Sequence, residues 1–127
     1  TTVGLGDIFD DAALAKLSPV LPSMVSLDIS HTAVTDDGVK ILASATGLKS
    51  LRLAETLIGD ASLETLANLT ELESLNLYGT QVTSQGLIKL CSMQKLKKLY
   101  LWRTQVDEMK LQELREKIPT CEIVTGT

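Results

Sequence analysis

The sequence repeats itself every 24 residues, and this period constrains the fold more than any other feature. The pattern LxxLxLxxTxV begins at positions 24, 48, 72 and 96 without any insertion between copies, with conservative replacements only at Met24, Ile29 and Ile58. Self-similarity at a fixed period of roughly 20 to 50 residues is typical of chains in which each copy forms one structural unit and neighbouring units stack.

Each copy predicts a short strand, a turn and a helix. Leu75 and Leu77 show the alternation of a strand, and the apolar residues then change to helical spacing at Leu87, Leu90 and Met93. The turns into the helices carry residue types that cap or favour helix starts. These pairs are Thr35-Asp36, Gly59-Asp60, Thr83-Ser84 and Asp107-Glu108.

A single unit has too few apolar side chains to offset the entropy lost on ordering its backbone, so stacking must supply the remaining stability. Stacked copies would align two core columns along the chain. The predicted columns are Leu27, Leu51, Leu75 and Leu99, and Ile29, Leu53, Leu77 and Leu101.

The two ends of the chain depart from the regular pattern. Val3 and Leu5 align with strand positions, and residues 10–17 predict a helix that ends before Pro19. At the other end, Arg115 occupies a helix position that is small in earlier copies, which favours a cap. We predict one domain over residues 1–127, with a degenerate repeat at 1–23, regular repeats at 24–47, 48–71, 72–95 and 96–119, and a cap strand at 120–127.

Composition excludes several functional classes. Twelve basic and sixteen acidic residues give a net charge of −4, which argues against a nucleic-acid-binding surface. No apolar run approaches the ~20 residues that span a bilayer, so we expect no membrane insertion. Cys91 and Cys121 form no CxxC motif, and neither a disulfide framework nor a zinc site is predicted. We expect no cofactor.

The repeat resembles the leucine-rich repeat family in its α/β form, over about residues 24–119. This resemblance implies a right-handed α/β solenoid with a parallel sheet on the concave face and helices on the convex face. Where that family often has Asn or Cys, this chain has a threonine in every copy, and we expect the hydroxyls to bond turn backbone. These residues are Thr32, Thr56, Thr80 and Thr104.

The segments VTDDGV, ESLNLYGT and KKLYLWRT are also similar to leucine-rich tails of bacterial multidomain proteins, including some with c-type cytochrome-like domains. This similarity implies a bacterial module and favours an extracytoplasmic location. The chain has no CxxCH motif for haem attachment. Its start at Thr1 rather than Met, with no signal-peptide core, suggests a fragment or a mature form.

The side chains between the core leucines point to the open face of the sheet. Tyr78, Tyr100 and Trp102 are three of only four aromatic residues in the chain, and all fall on this face. We expect them to form one cluster. Tyr and Trp provide large contact areas at low entropic cost and dominate binding hot spots, so the cluster predicts binding of a protein or peptide.

Polar residues complete the predicted binding surface. Arg52 and Arg103 would orient a partner by charge, and Asn76 would supply hydrogen bonds. Asp28 lies opposite Arg52 and is interpreted as its solvated cross-strand partner. His31 and Glu55 occupy adjacent copies, so an imidazole–carboxylate contact is expected.

Two other interpretations compete with partner binding. The aromatic residues could pack as part of the fold, in a structural or dimerising module that forms a weak homo-oligomer. A hydrolase is the least favoured hypothesis, because Ser30 and His31 are adjacent strand residues that diverge, which spoils a nucleophile–base relay. Cys91 is interpreted as a core-filling residue.

Overall fold

A computed structural model describes residues 10–125 of the chain. In chain order the elements are α1 (Asp11–Ala15), a 3-10 turn (Leu21–Ser23), β1 (Ser26–Asp28), α2 (Asp36–Val39) running into a 3-10 helix (Lys40–Ser44), β2 (Ser50–Arg52), α3 (Asp60–Ala67), β3 (Ser74–Asn76), α4 (Ser84–Leu87) running into a 3-10 helix (Ile88–Ser92), β4 (Lys98–Tyr100), α5 (Glu108–Lys117) and β5 (Glu122–Val124). The predicted strand positions of Val3 and Leu5, and the end of the predicted cap strand, lie outside the described residues.

The five strands form one parallel sheet in the order β1-β2-β3-β4-β5. Paired residues are 24 apart, so Leu27, Leu51, Leu75 and Leu99 stand in one row that ends on Ile123. Both predicted core columns are buried, with at most 3% of any member exposed. The chain is therefore an α/β solenoid with its sheet on the concave face and its helices on the convex face, as predicted.

The threonine ladder is confirmed. In each regular repeat the hydroxyl donates a hydrogen bond to the carbonyl oxygen three residues earlier, just past the strand, at 2.6 to 2.7 Å. The pairs are Thr32 to Ile29, Thr56 to Leu53, Thr80 to Leu77, and Thr104 to Leu101. Each bond closes the turn by which the chain leaves the sheet.

The helices alternate between two forms, which the sequence analysis did not predict. α2 and α4 have only four residues in the α form and continue as 3-10 helices, whereas α3 and α5 are α-helical throughout. α2 and α4 contain Gly38 and Gly86 in their first turns. Glycine lowers helix stability by about 1 kcal/mol relative to alanine, which accounts for the short α segments.

Both glycines sit beneath an aspartate from the preceding repeat. A Cβ atom at Gly38 would overlap the Asp11 carboxylate, and one at Gly86 would overlap the Asp60 carboxylate. These aspartates open their own helices and reach forward to the helix start of the next repeat. Asp11 accepts bonds from the Thr35 amide at 2.8 Å and from the Thr35 hydroxyl.

The same arrangement recurs in the next two repeats, with one exchange. Asp60 accepts from the amide and hydroxyl of Thr83. Asp36 accepts one bond from the Gly59 amide at 2.8 Å. The hydroxyl that donates to Asp36 belongs to Ser62, three residues after Gly59. Each carboxylate thus receives one amide and one hydroxyl, from either Thr-x-x-Gly or Gly-x-x-Ser.

The bonds that Asp11, Asp36 and Asp60 accept from the next repeat form an aspartate ladder. The aspartate ladder corrects the predicted capping at three of the four helix starts. The side chains of Thr35 and Thr83 cap no helix, and Gly59 has no side chain to do so. The amides of all three and the hydroxyls of the two threonines donate to an aspartate of the preceding repeat instead. Asp107 does cap α5, accepting from the Lys110 amide at 2.9 Å. Ser84 takes the aspartate position in the last rung and accepts from the Asp107 amide at 2.8 Å.

The helix column that contains Cys91 lies at the surface rather than in the core. Ala43 is exposed, and Ala67, Cys91 and Arg115 are half-buried. The interpretation of Cys91 as core filler is therefore wrong: it packs on the edge of the core and lines a cleft of about 170 Å³ between α4 and α5. Arg115 occupies the same surface position in α5.

Candidate functional site

Two aromatic rings stack on the open face where β3 and β4 end. Tyr78 and Trp102 occupy the same position in adjacent repeats, and their ring centroids lie 5.3 Å apart with the planes tilted by 48°. Tilted aromatic pairs at this separation attract each other by about 0.5 to 1.5 kcal/mol. Trp102 is nevertheless 45% exposed, so the pair presents a broad apolar surface to solvent.

The backbone holds this ring pair in place. The Glu55 amide donates to the Tyr78 carbonyl at 2.7 Å, and the Gly79 amide donates to the Trp102 carbonyl at 2.9 Å. The Tyr78 amide donates to Asn76 Oδ1 at 2.9 Å. Tyr78 is thus fixed on both sides, and a partner would meet a preformed surface.

Tyr100 lies apart from the ring pair. It is half-buried on β4, opposite Asn76 in the register, and the ring contact found in residues 10–125 joins only Tyr78 and Trp102. The predicted three-ring cluster is therefore wrong in this respect. Tyr100 stands two residues before Trp102, about 7 Å along the strand, and extends the same face.

The structure also corrects the pairing of Asp28 and adds a contact of Asn76. Asp28 forms no ion pair with Arg52 within the described chain, because its carboxylate accepts the Ser30 amide at 3.0 Å. Asn76 uses its side-chain oxygen in the same kind of local bond to Tyr78. Arg52 remains exposed on the open face. Asn76 therefore holds the backbone of Tyr78 as well as lining the open face.

A row of residues in the left-handed backbone region borders the ring pair. His31, Glu55 and Arg103 have φ angles of 59°, 55° and 60°, and Gly79 has a φ angle of 68°. The expected contact between His31 Nδ1 and Glu55 Oε2 is present at 3.5 Å. Arg103 is exposed at the end of this row. The repeating turn thus places His31, Glu55, Gly79 and Arg103 at one rim in successive repeats.

Sequence reasoning missed a shallow depression beside this rim. Its volume is about 440 Å³, and its lining includes Glu55, Leu57, Gly79, Gln81 and Arg103. Leu57 is 55% exposed. The equivalent positions hold Ala33, Gln81 and Gln105. A large apolar residue in an otherwise small or polar column was the signal that could have identified it.

The catalytic hypothesis gains no support from the geometry. The Ser30 hydroxyl accepts the Ala54 amide at 3.1 Å, and His31 faces Glu55. Cys91 and Cys121 are both free thiols. Burial raises the pKa of the Cys91 thiol, and burial with a smaller contribution from Glu122 raises that of Cys121 to about 11. Both thiols therefore stay protonated and weakly nucleophilic near neutral pH.

Residues 10–125 contain no group of three or more His, Cys, Asp or Glu side chains placed to hold a metal ion. None of the helices in that range is both long and apolar enough to cross a bilayer.

A family model described as "Leucine Rich repeat" matches residues 20–43 and 68–91. No curated protein matches the sequence. Among solved structures, internalin C2 of Listeria monocytogenes superimposes with a TM-score of 0.71 and 25% identity, over 87% of this chain and 44% of that one. A leucine-rich repeat protein of Leptospira interrogans gives a TM-score of 0.66 and 19% identity, over 86% and 27%.

The tropomodulin C-terminal domain of Caenorhabditis elegans has the same fold, with a TM-score of 0.69 and 16% identity, over 90% of this chain and 82% of that domain. The two bacterial sources fit the bacterial resemblance of the sequence. This chain spans less than half the length of either bacterial protein.

Proposed function

Because the chain is a leucine-rich repeat protein, we propose that it is a protein-binding module whose partner, a protein or peptide, contacts the concave face of the sheet. One observation carries this proposal: Trp102 is stacked on Tyr78 and is still 45% exposed. A rigid, half-exposed aromatic pair gives contact area with little side-chain entropy left to lose. The depression at the adjacent rim enlarges the surface available to a partner.

The individual residues have distinct roles in this proposal. Trp102 and Tyr78 are the main anchors, and Tyr100 extends the apolar surface along β4. Arg52 and Arg103 orient the partner by charge from either side. Asn76 holds the Tyr78 backbone at 2.9 Å and offers its remaining amide group to the partner.

The structural neighbours support a binding role only in general terms. Leucine-rich repeat proteins commonly bind other proteins, and internalin C2 and the tropomodulin domain share this solenoid. Their identities to this chain are at most 25%, so a partner named for any of them does not transfer here. The proposal rests on the aromatic face of this chain.

The alternative is a structural or dimerising module of a larger bacterial protein, with Trp102 covered by a second copy. Acrylamide quenching of Trp102, the only tryptophan, separates the two hypotheses. Partner binding predicts ready quenching at every protein concentration. Protection that appears only at high concentration would favour a dimer.

A display library of random bacterial protein fragments tests the binding proposal directly. The full chain would be immobilised as the wild type, as Trp102→Ala and as Met109→Ala. Met109 is a matched control because it is 84% exposed on α5, away from the concave face. We expect fragments enriched on the wild type to be retained by Met109→Ala and lost by Trp102→Ala.

The melting curves of the three proteins complete this experiment. Trp102→Ala should unfold close to the wild-type temperature, because Trp102 is 45% exposed and is not part of the buried core. A large loss of stability together with unchanged enrichment would refute the binding role and assign Trp102 to the fold.

A further inference from the structure

Unpaired cations surround the aromatic pair, although the chain as a whole has a net charge of −4. Arg52, Lys98 and Arg103 are exposed, and none of them joins an ion pair within the described chain. Elsewhere in the described chain, four cations also form no ion pair (Lys16, Lys49, Arg115 and Lys117), and five lysines each lie within 4.0 Å of a carboxylate. These pairs are Lys40–Asp37, Lys89–Glu64, Lys95–Glu71, Lys97–Glu73 and Lys110–Glu113.

The three cations on the open face lie on different sides of the rings. Arg52 ends β2 and Lys98 begins β4, so they are two strands apart, on the order of 10 Å. Arg103 directly follows Trp102, past the end of β4, whereas Lys98 lies at the start of that strand. A segment lying on the rings would therefore pass within reach of positive charge along its length.

Three of the neighbouring carboxylates contact other groups. Asp28 accepts the Ser30 amide, Glu55 faces His31 at 3.5 Å, and Glu73 faces Lys97 at 3.6 Å. Glu122 stands opposite Lys98 in the register, yet no ion pair joins the two side chains in residues 10–125. None of the three cations therefore has a carboxylate within 4.0 Å in the described chain, and each is available to an external anion.

We propose that the occupant of the concave face is an acidic protein segment, with carboxylates for these three cations and an apolar or aromatic side chain for the Tyr78–Trp102 rings. This inference rests on the proposed function and adds the chemistry of the partner. The net negative charge of the chain repels an acidic segment only weakly at physiological ionic strength, where screening acts beyond about 8 Å. Close contacts with the three cations are screened less and determine the preference.

Single-stranded nucleic acid also binds to cations interleaved with aromatic rings. Such ligands carry a charge on every nucleotide and are bound in continuous basic grooves. Three separated cations on an acidic chain match a few carboxylates better than a phosphate backbone. An oligonucleotide is therefore an outcome to exclude by competition.

Two variants of the full chain, each with three cations removed, test the charge preference. The face variant combines Arg52→Gln, Lys98→Gln and Arg103→Asn, where Asn tolerates the positive φ angle. The matched control combines Lys16→Gln, Arg115→Gln and Lys117→Gln, which are also outside any ion pair among the described residues and lie away from the sheet. Both variants change the net charge equally.

The probe is the fragment library described above, and its unselected members give the reference distribution of charge. We expect fragments enriched on the wild type to be more acidic than the library and to contain a large apolar residue. The most enriched fragment should bind the face variant about tenfold more weakly, and the control within about twofold. Its affinity should also fall as salt is raised.

The outcomes separate the two proposals. Enrichment that depends on Trp102 but favours neutral or basic fragments would overturn the acidic partner and leave the binding face. Equal losses in the two triple variants, or displacement of the fragment by a 12-residue oligothymidylate at lower concentration than by free fragment, would also overturn it. Absence of any Trp102-dependent enrichment would overturn both proposals together.

Discussion

The aspartate ladder between repeats makes a quantitative prediction at Asp11. Its carboxylate accepts two hydrogen bonds from Thr35, one from the amide at 2.8 Å and one from the hydroxyl. Hydrogen bonds to charged groups contribute about 1.5 to 3 kcal/mol each when buried. This carboxylate is half-buried, so about 1 kcal/mol per bond is appropriate, and Asp11→Ala should lower the free energy of unfolding by about 2 kcal/mol.

Gly38 provides the second side of a double-mutant cycle. In the wild type, Gly38→Ala would push the Asp11 carboxylate away and lose those bonds, against a helix-propensity gain of about 1 kcal/mol. In the Asp11→Ala protein that obstruction is gone, and the nearest remaining atom is Val34 Cγ1 at 3.2 Å. Gly38→Ala should then be neutral or stabilising, giving a coupling energy of about 2 kcal/mol.

Urea unfolding followed by Trp102 fluorescence and by circular dichroism measures each free energy. Asp37→Ala is the matched control. Asp37 lies next to Gly38 in the first turn of α2, but its side chain is 86% exposed and its ion pair is with Lys40, at 3.6 Å. That variant should change stability by less than about 0.5 kcal/mol. Additivity of Asp11→Ala and Gly38→Ala within about 0.5 kcal/mol would refute the claim that the glycine is there to admit the carboxylate.

Three further predictions test the core, the threonine ladder and the buried thiol. Leu75→Ala should lower the free energy of unfolding by about 2 to 5 kcal/mol, and a near-neutral result in urea would mean that the column is not core. Thr80→Val removes the buried 2.7 Å bond to the Leu77 carbonyl and should cost about 1 to 3 kcal/mol, whereas Thr70→Val, at an exposed position, should leave the urea midpoint unchanged. Because the pKa of Cys121 is raised from 9.0 to about 11 in the folded state, the stability that it contributes is complete below pH 9 and is lost as pH rises towards 11. The Cys121→Ala protein should lose less stability than the wild type over that interval, and identical pH profiles of the urea midpoint would contradict this assignment.

The sequence was sufficient for the features that depend on the 24-residue period. Once Leu75 and Leu99 are placed at equivalent positions, their pairing in the sheet and their burial follow from strand geometry. The hydrogen bond of Thr80 was predictable for a similar reason, since it joins residues only three apart. A bond of that span is visible in the local sequence.

The aspartate ladder was not predictable in the same way. Asp36 and Thr35 both look like capping residues for α2, and nothing local shows that Asp36 bonds Gly59 and Ser62, which are 23 and 26 residues away. The stacking distance between repeats decides this competition, and only the structure provides it.

The candidate site was predicted by position but not in detail. The placement of Tyr78 and Trp102 on adjacent rungs follows from the period, and so does their contact. Asp28 was assigned to Arg52 because the two face each other in the register, yet the nearer Ser30 amide captures its carboxylate. Local bonds of this kind outcompete exposed ion pairs, which contribute about 0 to 1 kcal/mol.

The exchange of Thr-x-x-Gly for Gly-x-x-Ser at the aspartate ladder has a consequence for how this chain can evolve. Moving from one form to the other takes two substitutions, and both single-step intermediates are defective. A Gly-x-x-Gly repeat would leave the carboxylate without its hydroxyl, and a Thr-x-x-Ser repeat would crowd it with a side chain where Gly38 now admits it. The two positions should therefore change together among descendants of this sequence, and whole repeats should be exchanged more easily than either residue alone.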